Sequence, residues 1–187
     1  MPDRTEDAGE AARAILDFWF GEVGHERWFV KDSQLDTAIA SRFARLRNTV
    51  LASRAVAWRD SPQTVLAAII LLDQFSRNIH RGHCRAFEAD PLARELTMLA
   101  LDRSWQVRLG THQRQFLLMP LMHSEKLTDQ QRSLAEYGAI ADQNISQFAQ
   151  AHHDQILRFG RFPGRNAALG RRSTEGEQGL IDEGATF

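Results

Sequence analysis

The chain has 187 residues, 43% of them hydrophobic and 25% charged, with a formal net charge of −1. That composition excludes a disordered tail, a collagen-like fibre and a disulfide scaffold, and the balanced charge gives no global field for nucleic acid or acidic membranes. The single cysteine, Cys84, forbids an intrachain disulfide and a multi-cysteine zinc site.

Apolar spacing is helical almost throughout, and no stretch alternates as a strand. Ala8, Ala11, Ala12, Ile15, Leu16 and Trp19 share one face of a first helix, with Gly21 as its stop. A second helix starts near Ser33 and carries Leu35, Ile39, Phe43, Leu46 and Val50. Ser61 and Pro62 mark the third, as N-cap and first helical residue. The run Val65–Leu72 that follows is apolar all round, as in a helix surrounded by others, and is too short to span a bilayer. Asp90 and Pro91 repeat the cap-then-proline signal. A helix from His112 to Lys126 contains Pro120, which must kink or split it. Thr128 and Gln131 form a capping box for a long helix through Tyr137, Ala141, Phe148, His152 and Phe159. Thr174 and Glu177 form another for a short last helix.

These elements predict one all-α domain over residues 1–187, about seven antiparallel helices stacked as hairpins, with residues 1–5 and 183–187 frayed. The acidic opening MPDRTEDAGE is unlike a signal peptide, so a cytoplasmic protein with no membrane or nucleic-acid partner is expected. Trp19, Phe20, Trp28 and Phe29 fit either burial within the domain or a dimer interface.

Function is sought where polar residues interrupt apolar company. Asp73, Arg77 and Arg81 follow the apolar run at i, i+4 and i+8, beside Gln74 and Asn78. A carboxylate placed there is partly buried and requires a partner, either an ion pair or a ligand. His123 and Glu125 follow Pro120, as capping or packing groups or as an acid–base pair. His152 sits on the helical stripe, as a core histidine or as a candidate acid or base. From Arg158 to Arg172 there are five arginines and no acid, interleaved with Gly160, Pro163, Gly164 and Asn166. Glycine turns expose backbone N–H groups and arginine forks bind carboxylate or phosphate, yet internal partners such as Asp73, Glu125 or Asp154 explain the cluster equally well. Of all basic residues only Lys31 and Lys126 are lysine, which fits codon bias or a need for planar donors. His80 and His83 lack nearby carboxylates, so neither metal nor cofactor is expected.

The blocks ILDFWFGE, LLDQFSRNIHRG, AFEADPLA, FLLMPLMHSE and HHDQILRFGRFPGRN, followed by ALGRRST, resemble the bacterial family named domain of unknown function 924. The resemblance implies a tetratricopeptide-like helical fold and no established activity. Carried over by position, its characteristic polar residues fall on Asp73, Gln74, Arg77, Asn78, Arg81, His123, Glu125, His152, Arg158, Arg161, Arg165, Asn166 and Arg171. The chain departs from the family pattern at Ser76, where proline is usual, at Gly164, where histidine is usual, and at His80 and His83.

Three readings follow. In the first, Asp73, Arg77, Asn78, Arg81, Arg158, Arg161, Arg165 and Asn166 line a site for an anionic small molecule or a peptide carboxylate. In the second, an enzyme uses His152 or His123 as acid or base, with Glu125 or Asp73 setting the tautomer. In the third, the polar residues form a buried network that needs no ligand.

Overall fold

The expected pairing of Ser61 and Pro62 starts a helix as the sequence predicts. Ser61 accepts from the Thr64 backbone N–H while the Thr64 hydroxyl takes up the Ser61 N–H, and Pro62 opens the helix. The computed structural model describes residues 4–140 and 142–187, and among them every regular element is helical. Of residues 1–5, expected to fray, 1–3 lie outside the described residues, and Arg4 and Thr5 belong to the first helix. The α-helices are α1 (Arg4–Leu16), α2 (Ser33–Ala52), α3 (Pro62–Ile69), α4 (Phe75–Ile79), α5 (Asp90–Asp102), α6 (Thr111–Met122), α7 (Leu127–Gly138), α8 (Gln143–Phe159) and α9 (Glu175–Asp182). None is long and apolar enough to cross a membrane.

The chain divides into two compact units. Unit 1 takes Met1–Arg81 and Arg85–Leu117, and unit 2 takes Gly82–Cys84 and Leu118–Phe187. In unit 1, α3 packs on both α1 and α5, and α2 packs on α4. These pairs join alternate helices, so consecutive-hairpin stacking is not the pattern there. The reason lies in α3 and the turns after it: every residue from Val65 to Leu72 is fully buried, so the segment accepts neighbours on more than one side. In unit 2 the consecutive helices α7 and α8 do pack on each other.

Several boundaries differ from expectation. The first helix passes Gly21 and continues as wide π turns, Asp17–Val23, to Gly24, whose φ of 72° only glycine adopts without strain. Trp19 and Trp28 are buried in unit 1, where the Trp28 indole N–H donates to the Trp19 carbonyl, whereas Phe29 is exposed. A second π stretch, Ile70–Gln74, joins α3 to α4. On α2 the buried register is Leu35, Ile39, Phe43, Arg47 and Val50, so Arg47 takes the inward place expected for Leu46.

Pro120 does not split α6, which ends at Met122 instead of reaching Lys126. Gln130 donates to the carbonyls of Met122 and Ser124, both at 2.7 Å, satisfying acceptors that the helix end leaves open. The long helix expected from Thr128 to Phe159 is two helices. Asp142 caps α8 by accepting from the backbone N–H groups of Asn144 and Ile145, and Ala141 lies outside the described residues. The Thr128–Gln131 box does not form, because α7 already starts at Leu127. Thr174 and Glu177 do form theirs.

Candidate functional site

The polar residues singled out in the sequence fall into two sets, one in each unit. In unit 1, Asp73 is fully buried, and both Gln74 and Arg77 donate to it; the Arg77–Asp73 distance is 3.0 Å. The same guanidinium meets Asp90 through two 3.0 Å bonds. Asp90 is thus the first residue of α5 rather than its cap, with its carboxylate given to Arg77. Burial alone would lower the Arg77 pKa, but the charges of Asp73 and Asp90 prevail and raise it. Asn78 and Arg81 both converge on Asp36, each at 2.7 Å. Burial works against the Asp36 carboxylate, yet Arg81 and Asn78 hold its pKa below the ordinary value.

Sequence reasoning missed the most enclosed cation of unit 1. Arg47 is fully buried, donating from Nε to the Ser76 hydroxyl at 2.9 Å and from Nη1 to Glu88 at 2.5 Å. The available signal was its spacing, four residues after Phe43 and three before Val50, on the apolar stripe. Ser76 therefore serves as an acceptor for a buried guanidinium.

In unit 2 the turn segment after α8 is tied by two carboxylates. Glu125 accepts from both Arg171 terminal nitrogens, at 2.8 and 3.0 Å, and from the Phe162 backbone N–H at 2.8 Å. Burial opposes its charge, but the Arg171 and Phe162 hydrogen bonds outweigh it and hold the carboxyl low. Glu177 accepts from Arg161 through two bonds, 2.6 and 2.8 Å, and from the Thr174 N–H at 2.7 Å. With the Arg161 bonds as the main cause, its pKa falls from 4.5 to about 2. Asn166 links the two groups: its side-chain oxygen accepts from Arg171, and its amide donates to Glu177 at 3.5 Å as well as to Ser173. Of the internal partners expected for the arginine cluster, Glu125 fills that role, whereas Asp73 pairs with Arg77 in unit 1 and Asp154 accepts from Gln150 on its own helix.

The remaining unit 2 candidates lie beside this frame. His152 is buried, and its Nδ1–H donates to the Phe148 carbonyl at 2.7 Å. Phe148 itself is exposed, contrary to its expected place on the buried stripe. The His152 ring lies 5.9 Å from that of His123 and 5.6 Å from that of Phe162. Arg165 is buried, donates to the His123 carbonyl at 2.9 Å, and stacks its guanidinium 4.4 Å from the Phe162 centroid. Arg158 is exposed and lies over Phe159. Phe187, in the segment expected to fray, stacks on His152 instead.

A family model described as bacterial protein of unknown function (DUF924) matches residues 15–185. The chain belongs to this family. The DUF924 span takes in both networks and ends two residues before Phe187. The solved structure of a protein of unknown function from Agrobacterium tumefaciens is similar, with 32% identity and a TM-score of 0.89, covering 95% of this chain and 99% of that one. No curated protein matches.

Proposed function

We propose that the chain is a binding protein whose ligand site is the face of unit 2 formed by His123, His152, Phe162 and Arg165, and that its ligand is an anionic small molecule or a peptide carboxylate. The His152 ring lies near both His123 and Phe162, and the Arg165 guanidinium stacks on the same Phe162 ring, an arrangement that supports this reading. Two side chains that can carry positive charge and one that always does favour an anion, and the buried Phe162 ring backs His152 and Arg165 from beneath. Glu125, Arg161, Asn166 and Arg171 are the frame in this reading: their hydrogen bonds hold the turn that carries Phe162 and Arg165. The unit 1 set of Asp73, Arg77, Asn78 and Arg81 is likewise framework.

A thermal-shift panel of anionic metabolites and short peptides tests the reading. A ligand at 100 times its Kd adds about 2.7 kcal/mol, roughly 5–11 °C for a chain of this size. A saturable shift that disappears in His152→Gln supports the site. A shift that His152→Gln and Arg165→Ala both leave intact places the ligand elsewhere and removes the reading.

One observation favours an enzymatic variant of the same site. With Nδ1 donating to the Phe148 carbonyl, neutral His152 carries its lone pair on Nε2, the form a general base uses. Turnover of a bound panel compound that is lost in folded His152→Gln supports this variant, and undiminished turnover removes it.

A further inference from the structure

Three recognition features of unit 2 converge on one short segment of the chain. Gln155 donates its side-chain amide to the Ala185 carbonyl at 2.7 Å. Phe187 lies flat on the His152 imidazole, with ring centroids 3.7 Å apart and planes 20° from parallel. Gly164 supplies the floor, because a Cβ there would stand 2.7 Å from the Phe187 carbonyl oxygen and 3.0 Å from Thr186 Cβ. A main-chain hydrogen bond, an aromatic wall and a floor without a side chain are what an extended peptide needs in order to be held.

Burial is unequal across this contact. His152 and Gln155 beneath the segment are 5% and 8% exposed, while the Phe187 residue above them remains 40% exposed. A piece of the core would be enclosed on its outer side as well. Here the receiving residues are covered and the covering segment faces solvent, an arrangement that a bound peptide would share.

We propose that this face is a peptide-binding groove that takes an aromatic side chain against His152, and that Ala185–Phe187 fills it in cis. The proposal rests on reading the His152 face as the ligand site, and it names the ligand class and the groove's resting occupant. Being tethered, the segment acts at an effective concentration on the order of millimolar, so a weak intrinsic affinity suffices to keep the groove filled. An incoming peptide must displace it, and its apparent affinity is reduced by the fraction of molecules that are closed.

The test compares the full chain with Phe187→Ala, which uncovers the groove, and with the double variant Phe187→Ala/Gly164→Ala, in which the new Cβ fills the floor and blocks any peptide lying there. Gly179→Ala, where an added Cβ meets nothing within 4 Å, is the control. The probes are acetyl-Ala-Thr-Phe-amide and acetyl-Ala-Thr-Ala-amide, both uncharged, and binding is read by titration calorimetry with the His152 ring protons followed by NMR. The expected result is at least tenfold tighter binding of the aromatic peptide to Phe187→Ala than to the unaltered chain, to Gly179→Ala or to the double variant. The bound peptide also restores the upfield ring-current shift at His152 that Phe187→Ala removes. Equal affinity across all four proteins, or equal affinity for the two peptides, overturns the groove. If anionic panel compounds bind the unaltered chain and Phe187→Ala alike while neither peptide binds any variant, the groove falls and the ligand-site reading stands. If neither class binds any folded variant, both fall.

Discussion

Glu125 and Arg171 lie 46 positions apart in sequence and meet through two parallel hydrogen bonds of 2.8 and 3.0 Å. The same Arg171 also donates to the Phe162 carbonyl, while Glu125 accepts the Phe162 N–H, so one ion pair holds both polar groups of one peptide residue. The pair is a clamp on the turn that carries Phe162 and Arg165.

Breaking the clamp from either side should therefore cost stability. The two side chains are 29% and 22% exposed, between the surface and fully buried cases. Glu125→Gln is expected to lose about 2 kcal/mol, roughly 4–8 °C in Tm. Arg171→Leu is expected to lose a similar amount, and the double variant less than the sum. Strictly additive losses in differential scanning calorimetry would mean that the two side chains do not act together.

Unit 1 offers a contrast in burial between two Asp–Arg contacts. Asp73 is fully buried, so Asp73→Asn leaves Arg77 with a weakened set of partners and is expected to cost about 3 kcal/mol. Arg81 is 39% exposed, and Arg81→Ala should cost under about 1 kcal/mol. Urea midpoints of the two variants check the order; a larger loss for Arg81→Ala contradicts it.

Ser76 has a role only because of Arg47. Ser76→Ala removes the acceptor of the Arg47 Nε–H inside the core and is expected to cost about 1–3 kcal/mol, the price of a buried donor without a partner. The same change made together with Arg47→Met should cost little beyond Arg47→Met alone, which a double-variant denaturation series reads directly.

Acid should loosen the turn through Glu177. Its folded pKa of about 2 lies below the ordinary value of 4.5, so between those limits the unfolded chain takes up a proton that the folded one does not. The contribution of the Glu177–Arg161 pair is present above about pH 4.5 and is lost as pH falls toward 2. Glu177→Gln should be less stable than the unaltered chain at pH 7 and should lose less of its stability across that interval. Parallel stability–pH curves for the two proteins would assign the acid response to other carboxylates.

The sequence disclosed elements whose signals are local. The Ser61–Pro62 start, the Thr174–Glu177 box and the burial of Val65–Leu72 each depend on neighbours within a few residues. The break before α8 escaped notice because the apolar spacing continues in register through it, while the capping carboxylate of Asp142 offers a new start. The arginine cluster could be read as charges in need of partners, and Glu125 could be named as one of them. Glu177 could be seen only as a cap, since its pairing with Arg161 depends on how the turn folds back. Arg47 was hidden by averaging: one arginine among Leu35, Ile39, Phe43 and Val50 does not alter the pattern of the stripe. Phe187 gave no signal, because a stacking partner on another element leaves no mark on its own neighbourhood.

The π turns at Ile70–Gln74 carry a consequence for comparing relatives. A wide turn spends one more residue than an α turn over nearly the same rise, so it is an insertion that a helix has absorbed without opening a loop. Between a relative that keeps the wide turn and one that has tightened it, an alignment gap would fall between Ile70 and Gln74, in the middle of a buried helical run. Such a gap would mark a change of winding, and every residue beyond it would be rotated by about 100° around the helix axis unless a second change restored the phase.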